Sequence, residues 1–291
     1  MSLILKIFVP AAVVVAGAAW VTTAPRGVDA AAYDGLTGDA AAGEALFHAG
    51  GCASCHVAPD ADAPRVLAGG YALESDFGTF YAPNISTDAT HGIGDWSLVD
   101  FASAMKAGVS PEGRHYYPAF PYTSYARMTD ADIADLWAYM QTLPADATPS
   151  KPHEVCFPFN VTRSLGAWKL LYLDDAWVVD VAPEHERGRY LVEAVGHCAE
   201  CHTPRGPLGA LDTARWMEGA PNPSGRGTIP PLTPDELDWS AADIAYYLES
   251  GFTPTYDSVG GSMSDVVTAW SKLPAADRDA ASAYLKAIPA P

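Results

Sequence analysis

Two runs in this sequence set a pair of thiols one helical turn apart, with an imidazole directly after the second: Cys52, Cys55 and His56 in CASCH, and Cys198, Cys201 and His202 in CAECH. Three chemistries suit such a triad. Dithiol–disulfide exchange needs only the cysteines and belongs to a βαβ setting. Structural zinc draws on paired Cys-x-x-Cys knuckles that stand roughly 15–20 residues apart, whereas about 140 residues separate these two runs. Covalent attachment of haem c uses all three side chains: each thiol forms a thioether with a vinyl group, and the imidazole falls beneath the iron. The spacing therefore predicts two covalently bound haem c groups, with iron held by His56 and His202. Cys156 is left over, and reads as a buried, inert thiol, with an intermolecular bridge or a ligand role as the alternatives.

The sixth iron ligand decides what such a site does. Methionine opposite histidine closes the iron and raises its potential, which suits electron transfer, whereas an open or exchangeable position suits reaction with a small molecule. Met263, in GGSMSDVV, stands 21 residues before Tyr284 on a Gly-rich stretch upstream of the closing helix. It is the candidate in the second half; Met217, in RWMEGAP, is the other, with packing as its alternative role. The matching position in the first half falls near Phe120, so the ligand there is Met128 or, failing that, His115. Met105 and Met140 lie on helical core faces.

Stepwise repetition shows which elements must position these groups. GEALFHAGGCASCH (Gly43 to His56) matches GRYLVEAVGHCAECH (Gly188 to His202), DWSLVDFASAMKAGVSP matches DWSAADIAYYLESGFTP, and WAYMQTLPA matches SAYLKAIPA, in the same order. Ser97 with Asp100, Ser240 with Asp243 and Thr129 with Asp132 are helix starts, and Gly108 and Gly251 are helix stops. No alternating strand pattern of comparable strength appears. The expectation is all-α: an N-terminal membrane segment (1–26), two tandem domains (38–147 and 184–291) and an inter-domain linker (148–183). In that linker Trp168, Leu170, Leu171, Tyr172 and Trp177 are expected to glue the two domains together.

The apolar run from Ile7 to Ala24 carries no charge before Arg26, which predicts export with a retained anchor, or a signal cut near Ala19, Ala24 or Ala30. The formal net charge of -18 disfavours nucleic acid and anionic lipid surfaces, and 16 acidic against 4 basic residues between Gly27 and Ser150 concentrate the acidity in the first half. A basic protein partner complements it, although a solvated acidic surface that maintains solubility accounts for it equally well.

CASCH, the stretch YAPNISTDATHGIGDWSLVDFASAMKAGVSPEGRHYYPAFPYTSYARMTDADI, the linker FPFNVTRSLGAWKLL, CAECH and GGSM together resemble the bacterial c-type cytochromes that serve periplasmic dehydrogenases, including the cytochrome subunits of alcohol, gluconate and fructose dehydrogenases. That resemblance implies a cytochrome c fold and electron transfer, with Met128 and Met263 at methionine positions of the family's motifs. Many members carry methionine where Phe120 stands, and many carry three haems where this chain has two sites. The implied protein sits at the periplasmic side of the inner membrane, accepts electrons from a dehydrogenase and passes them to a respiratory acceptor. The alternative from another class is a dihaem enzyme, a peroxidase or thiosulfate-oxidising cytochrome, with one haem as reaction site.

Overall fold

The computed structural model describes residues 3–59, 61–222 and 227–289, and for residues 3–12 the backbone alone. Helix α1 (Leu3–Thr22) is followed by α2 (Ala40–Ala49), α3 (Cys52–His56), the strands β1 (Ala72–Ser75) and β2 (Gly78–Tyr81), then α4 (Leu98–Ala107), α5 (Tyr122–Tyr125) and α6 (Asp130–Met140). Strand β3 (Glu154–Val155) and helix α7 (Leu165–Tyr172) lead into the second half: α8 (Glu186–Arg189), α9 (Ala199–His202), β4 (Ala220–Pro221), β5 (Thr228–Ile229), α10 (Ala241–Ser250), α11 (Met263–Trp270) and α12 (Ala275–Ala287).

The repeated blocks fold alike. Ser97 and Ser240 each close a full capping box with the aspartate three residues on, which satisfies free N-terminal amides of α4 and α10 in both directions. Gly108 and Gly251 end those helices in the left-handed conformation, at φ 59° and 75°. In the first half α2 crosses α6 so closely that a Cβ on Gly43 would lie 2.0 Å from the Asp135 carbonyl oxygen. Gly188 makes the same approach to α12, 2.0 Å from the Ala280 oxygen. Each crossing requires a residue without a side chain, which is why the repeat keeps glycine at both places.

To the mostly helical class the structure adds, among the described residues, two small antiparallel sheets, β1-β2-β3 and β4-β5. Strands of two to four residues are too short to leave a readable alternation in sequence, and β3 joins its sheet from the linker, pairing Thr79 with Glu154. Buried apolar side chains of both halves, from Leu46, Phe47 and Ile133 to Leu191, Trp270 and Tyr284, form a single cluster.

The linker is glued at Trp168, whose indole donates to the Leu208 carbonyl at 2.9 Å, and at the half-buried Trp177. Leu170 and Leu171 instead face solvent, 64% and 69% exposed, because the buried side of the short helix α7 is already taken by Leu165, Gly166 and Lys169. Lys169 donates to the Ala107 and Gly108 carbonyls, both at 2.6 Å, and lies over the Tyr122 ring. It thereby caps the C-terminus of α4. Burial draws its ammonium down to about 7, against the pull of those two carbonyls, which favour the charged form. Lys169→Met is expected to lower stability by about 1–3 kcal/mol in urea denaturation, since two carbonyls lose their donor away from water.

Cys156 is exposed, not buried as its type suggested. It follows β3 on a surface turn in which the Asn160 amide returns to the Cys156 carbonyl at 3.2 Å. The anchor expected over residues 1–26 lies in part outside the described residues, and among those no helix is long and apolar enough to cross a membrane. In the described part of α1, Val13, Val14, Val15, Trp20 and Val21 are each more than half exposed. Its end docks on the linker: the Arg163 guanidinium stacks over Trp20, 4.2 Å from the ring centroid, and donates to the Trp20 carbonyl.

Candidate functional site: two adjoining Cys-x-x-Cys-His helices

Each Cys-x-x-Cys-His run forms a short helix that points its histidine at the same framework. His56 Nδ1 donates to the Pro83 carbonyl and His202 Nδ1 to the Pro230 carbonyl, both at 2.8 Å. Holding the proton on Nδ1 leaves Nε2 with its lone pair, the form an iron ligand requires, and fixes the plane of the ring. The carbonyl of each histidine is also held, by Gly69 at 2.7 Å and by Gly219 at 2.8 Å. Burial lowers both histidines further from the cationic state.

No disulfide joins the four cysteines of the two runs. Burial raises Cys52 and Cys198 to about 12 and Cys55 to about 11, with the Cys201 thiol and Asp265 adding to the shift at Cys55. A catalytic dithiol needs the opposite shift, toward the thiolate. Two protonated thiols a turn apart beside an oriented imidazole fit covalent haem attachment, and they fit it in both halves.

The two runs lie side by side. His197, directly before Cys198, has Nε2 3.2 Å from the Gly50 carbonyl, two residues before Cys52. The Trp270 indole donates to the neighbouring Ala49 carbonyl at 3.1 Å, and the Tyr125 and His197 rings meet edge to face with centroids 5.7 Å apart. Thr123 reaches Glu200 within the second run at 3.3 Å. Sequence reading missed this juxtaposition, because no local signal reports which ends of two repeated units will touch.

The methionines divide by register. Phe120 and Met263 each stand twelve residues past the left-handed cap glycine of α4 or α10. The intervening loops match, with Tyr116 N–H to Gly108 O at 2.8 Å and Val259 N–H to Gly251 O at 2.7 Å. Met263 is half-buried and opens α11, so it sits at a helix start and not on the free loop its glycines suggested. Met217, with no exposed surface, occupies the position of Leu67: their carbonyls accept from Leu232 and Ile85 at 2.8 and 2.9 Å. Met128, 2% exposed, occupies that of Leu273, their amides donating to Trp270 and Tyr125 partners of equal rank at 2.9 Å (Met128 to Tyr125) and 3.0 Å (Leu273 to Trp270). His115 is buried, with Nε2 3.0 Å from the Thr23 carbonyl.

Residues 40–144 match the family model described as cytochrome c. The chain is 58% identical over 286 residues to a dihaem c-type cytochrome of Cereibacter sphaeroides, covering 96% of each chain. It is 37% identical over 256 residues to the fructose dehydrogenase cytochrome subunit of Gluconobacter japonicus, covering 85% of this chain and 52% of that one. It is 34% identical over 265 residues to the gluconate 2-dehydrogenase cytochrome c subunit of Pantoea cypripedii, covering 84% and 58%. The chain thus spans little more than half the length of those two subunits. Haem c, covalently bound and present twice in the dihaem case, is the cofactor of this family. From the likeness to the Cereibacter protein along nearly the whole of both chains, it follows that this protein belongs to the dihaem cytochromes c.

Proposed function

We propose that this protein relays electrons from a dehydrogenase to a respiratory acceptor at the periplasmic face of the inner membrane, held there by the N-terminal segment. The observation that carries this reading is the contact of His197, directly before the second Cys-x-x-Cys-His helix, with Gly50 and Tyr125 beside the first, which brings the two attachment sites together as one relay. Haem iron supplies the chemistry by cycling between ferrous and ferric states. Cys52 and Cys55, and Cys198 and Cys201, anchor the two groups, while His56 and His202 bind iron through Nε2 with Nδ1 tied to a proline carbonyl. Met263 supplies sulfur to the second iron, and Met128 is the sulfur assigned to the first. The units are residues 38–147 and 184–291, joined by 148–183. Support for the donor comes from relatives that are cytochrome subunits of fructose, alcohol and gluconate dehydrogenases. Support for the anchor comes from the apolar sequence between Ile7 and Ala24 and from the exposed valines of α1.

One observation favours a second reading. Phenylalanine holds the position of Met263 in the first half, and Met128 holds that of a core leucine. On this reading the first iron has an open or exchangeable face, and the protein is a dihaem enzyme acting on a small molecule such as peroxide. Optical redox titration of the whole protein with Met128→Leu beside it separates the two. The relay requires two low-spin centres in the parent, one of which opens to carbon monoxide in the variant, with no peroxide turnover. The enzyme reading requires one centre already open in the parent, unchanged in Met128→Leu. Washed membranes given fructose, alcohol or gluconate should reduce both centres of the relay; failure with every dehydrogenase substrate removes the assigned donor.

A further inference from the structure

Ten residues separate Gly188 from Cys198 where nine separate Gly43 from Cys52, so the second half carries one extra residue just before its haem-binding run. The helix before the run absorbs it. Residues Tyr190–Val195 wind as a π-helix, with the Gly196 amide bonded five residues back to Leu191 at 2.7 Å. Immediately before the cysteine, the first half has Gly51 in the left-handed conformation at φ 59°, and the second half has His197 at φ 41°. Glycine takes that conformation freely, whereas histidine takes it at a cost that the surroundings must offset. π-turns of this kind are concentrated at functional sites.

What offsets the cost lies in the other half of the molecule. His197 Nε2 meets the Gly50 carbonyl at 3.2 Å, and since a carbonyl only accepts, that nitrogen carries the proton. Gly50 caps α2, so its carbonyl is one of the free acceptors at that helix end, next to the Ala49 carbonyl taken by Trp270. The imidazole edge also packs on Tyr125, itself buried beside Cys52 and Cys55.

We infer that His197 is a positioning residue for electron exchange: standing where the first half has Gly51, its imidazole pins the second haem-binding helix to the end of α2, and so fixes the two attachment sites relative to each other. The step it serves moves one electron from the reduced centre to the oxidised one, with no bond made or broken. The inference rests on the two-haem reading, and the count of attached porphyrins checks that reading separately.

His197→Gly tests it, because glycine relieves the backbone and removes only the imidazole. Two porphyrins should remain attached by mass spectrometry, with both optical spectra unchanged. Pulsed electron paramagnetic resonance should show a broader iron–iron distance distribution, and flash-induced exchange between the centres should slow by roughly tenfold or more, the scale on which small misplacements act. His197→Asn, which tolerates the left-handed conformation and keeps a donor, should recover part of the rate. An exchange rate and distance distribution in His197→Gly equal to the parent's, with two porphyrins present, would overturn the inference. A porphyrin count below two in the parent would instead overturn the two-haem reading.

Discussion

Replacing Met263 with leucine is expected to turn the second haem from low-spin to high-spin, open it to carbon monoxide in the ferrous state, and lower its midpoint potential on the order of 0.1 V, within the roughly 0.8 V that axial ligation spans. Met217→Leu is expected to change none of these. The distinction follows from where each sulfur is held. Met217 has its amide on the Thr203 hydroxyl at 3.0 Å and its carbonyl on the Leu232 amide at 2.8 Å. The same stretch sends Gly219 to the His202 carbonyl and Pro230 to the His202 ring. Met217 therefore belongs to the stretch that holds His202, as Leu67 belongs to the one that holds His56, and would not supply the ligand opposite that histidine. Met263 starts α11 after Gly260 and Gly261, half-buried against the core and tethered by none of those contacts. Carbon monoxide titration of the reduced variants reads the result directly. Should Met217→Leu open a centre and Met263→Leu not, the register between the halves is misread.

What the sequence made legible was whatever is encoded locally. The Cys-x-x-Cys-His triads are contiguous, and the capping boxes at Ser97 and Ser240 and the stops at Gly108 and Gly251 each span a few residues, so all of these patterns were readable in the sequence, and the structure bears out the caps and stops. The close helix crossings at Gly43 and Gly188 were visible as matched glycines, though not as contacts. Ligand choice was harder because it depends on which side of the iron a loop returns to. Counting back from Tyr139 brought Phe120 into view, but only the paired carbonyl contacts of Leu67 with Met217, and the paired amides of Met128 and Leu273, show which methionines fill leucine places. The extra residue before Cys198 could be counted, yet a count does not say whether a helix swallows it as a π-turn or a loop bulges. Exposure of Cys156 ran against its type, because a lone thiol in a turn goes where the turn goes.

Glu193→Ala is expected to cost roughly 3–5 kcal/mol, among the largest effects of any single substitution outside the iron ligands. Glu193 lies within the π-helix and has no exposed surface. Its carboxylate accepts from the Val178 amide at 2.8 Å, the Val179 amide at 3.2 Å and the Tyr284 hydroxyl at 2.5 Å. One side chain thus ties the end of the linker, the helix leading to Cys198, and α12. Removing it also removes the cost of burying a charge, which is why the loss is not simply three hydrogen bonds. Three donors then remain enclosed without an acceptor, around a cavity the size of the lost carboxylate, and these penalties exceed the relief. Glu193→Gln keeps the volume and one acceptor but turns an amide NH2 toward an N–H, so it should fall between, at about 2–3 kcal/mol, and Tyr284→Phe should cost about 1 kcal/mol. Urea denaturation of the haem-loaded protein, followed by far-ultraviolet circular dichroism at matched porphyrin content, supplies all three values. A Glu193→Ala protein within about 1 kcal/mol of the parent would mean that relief of the buried charge outweighs the donors it leaves behind.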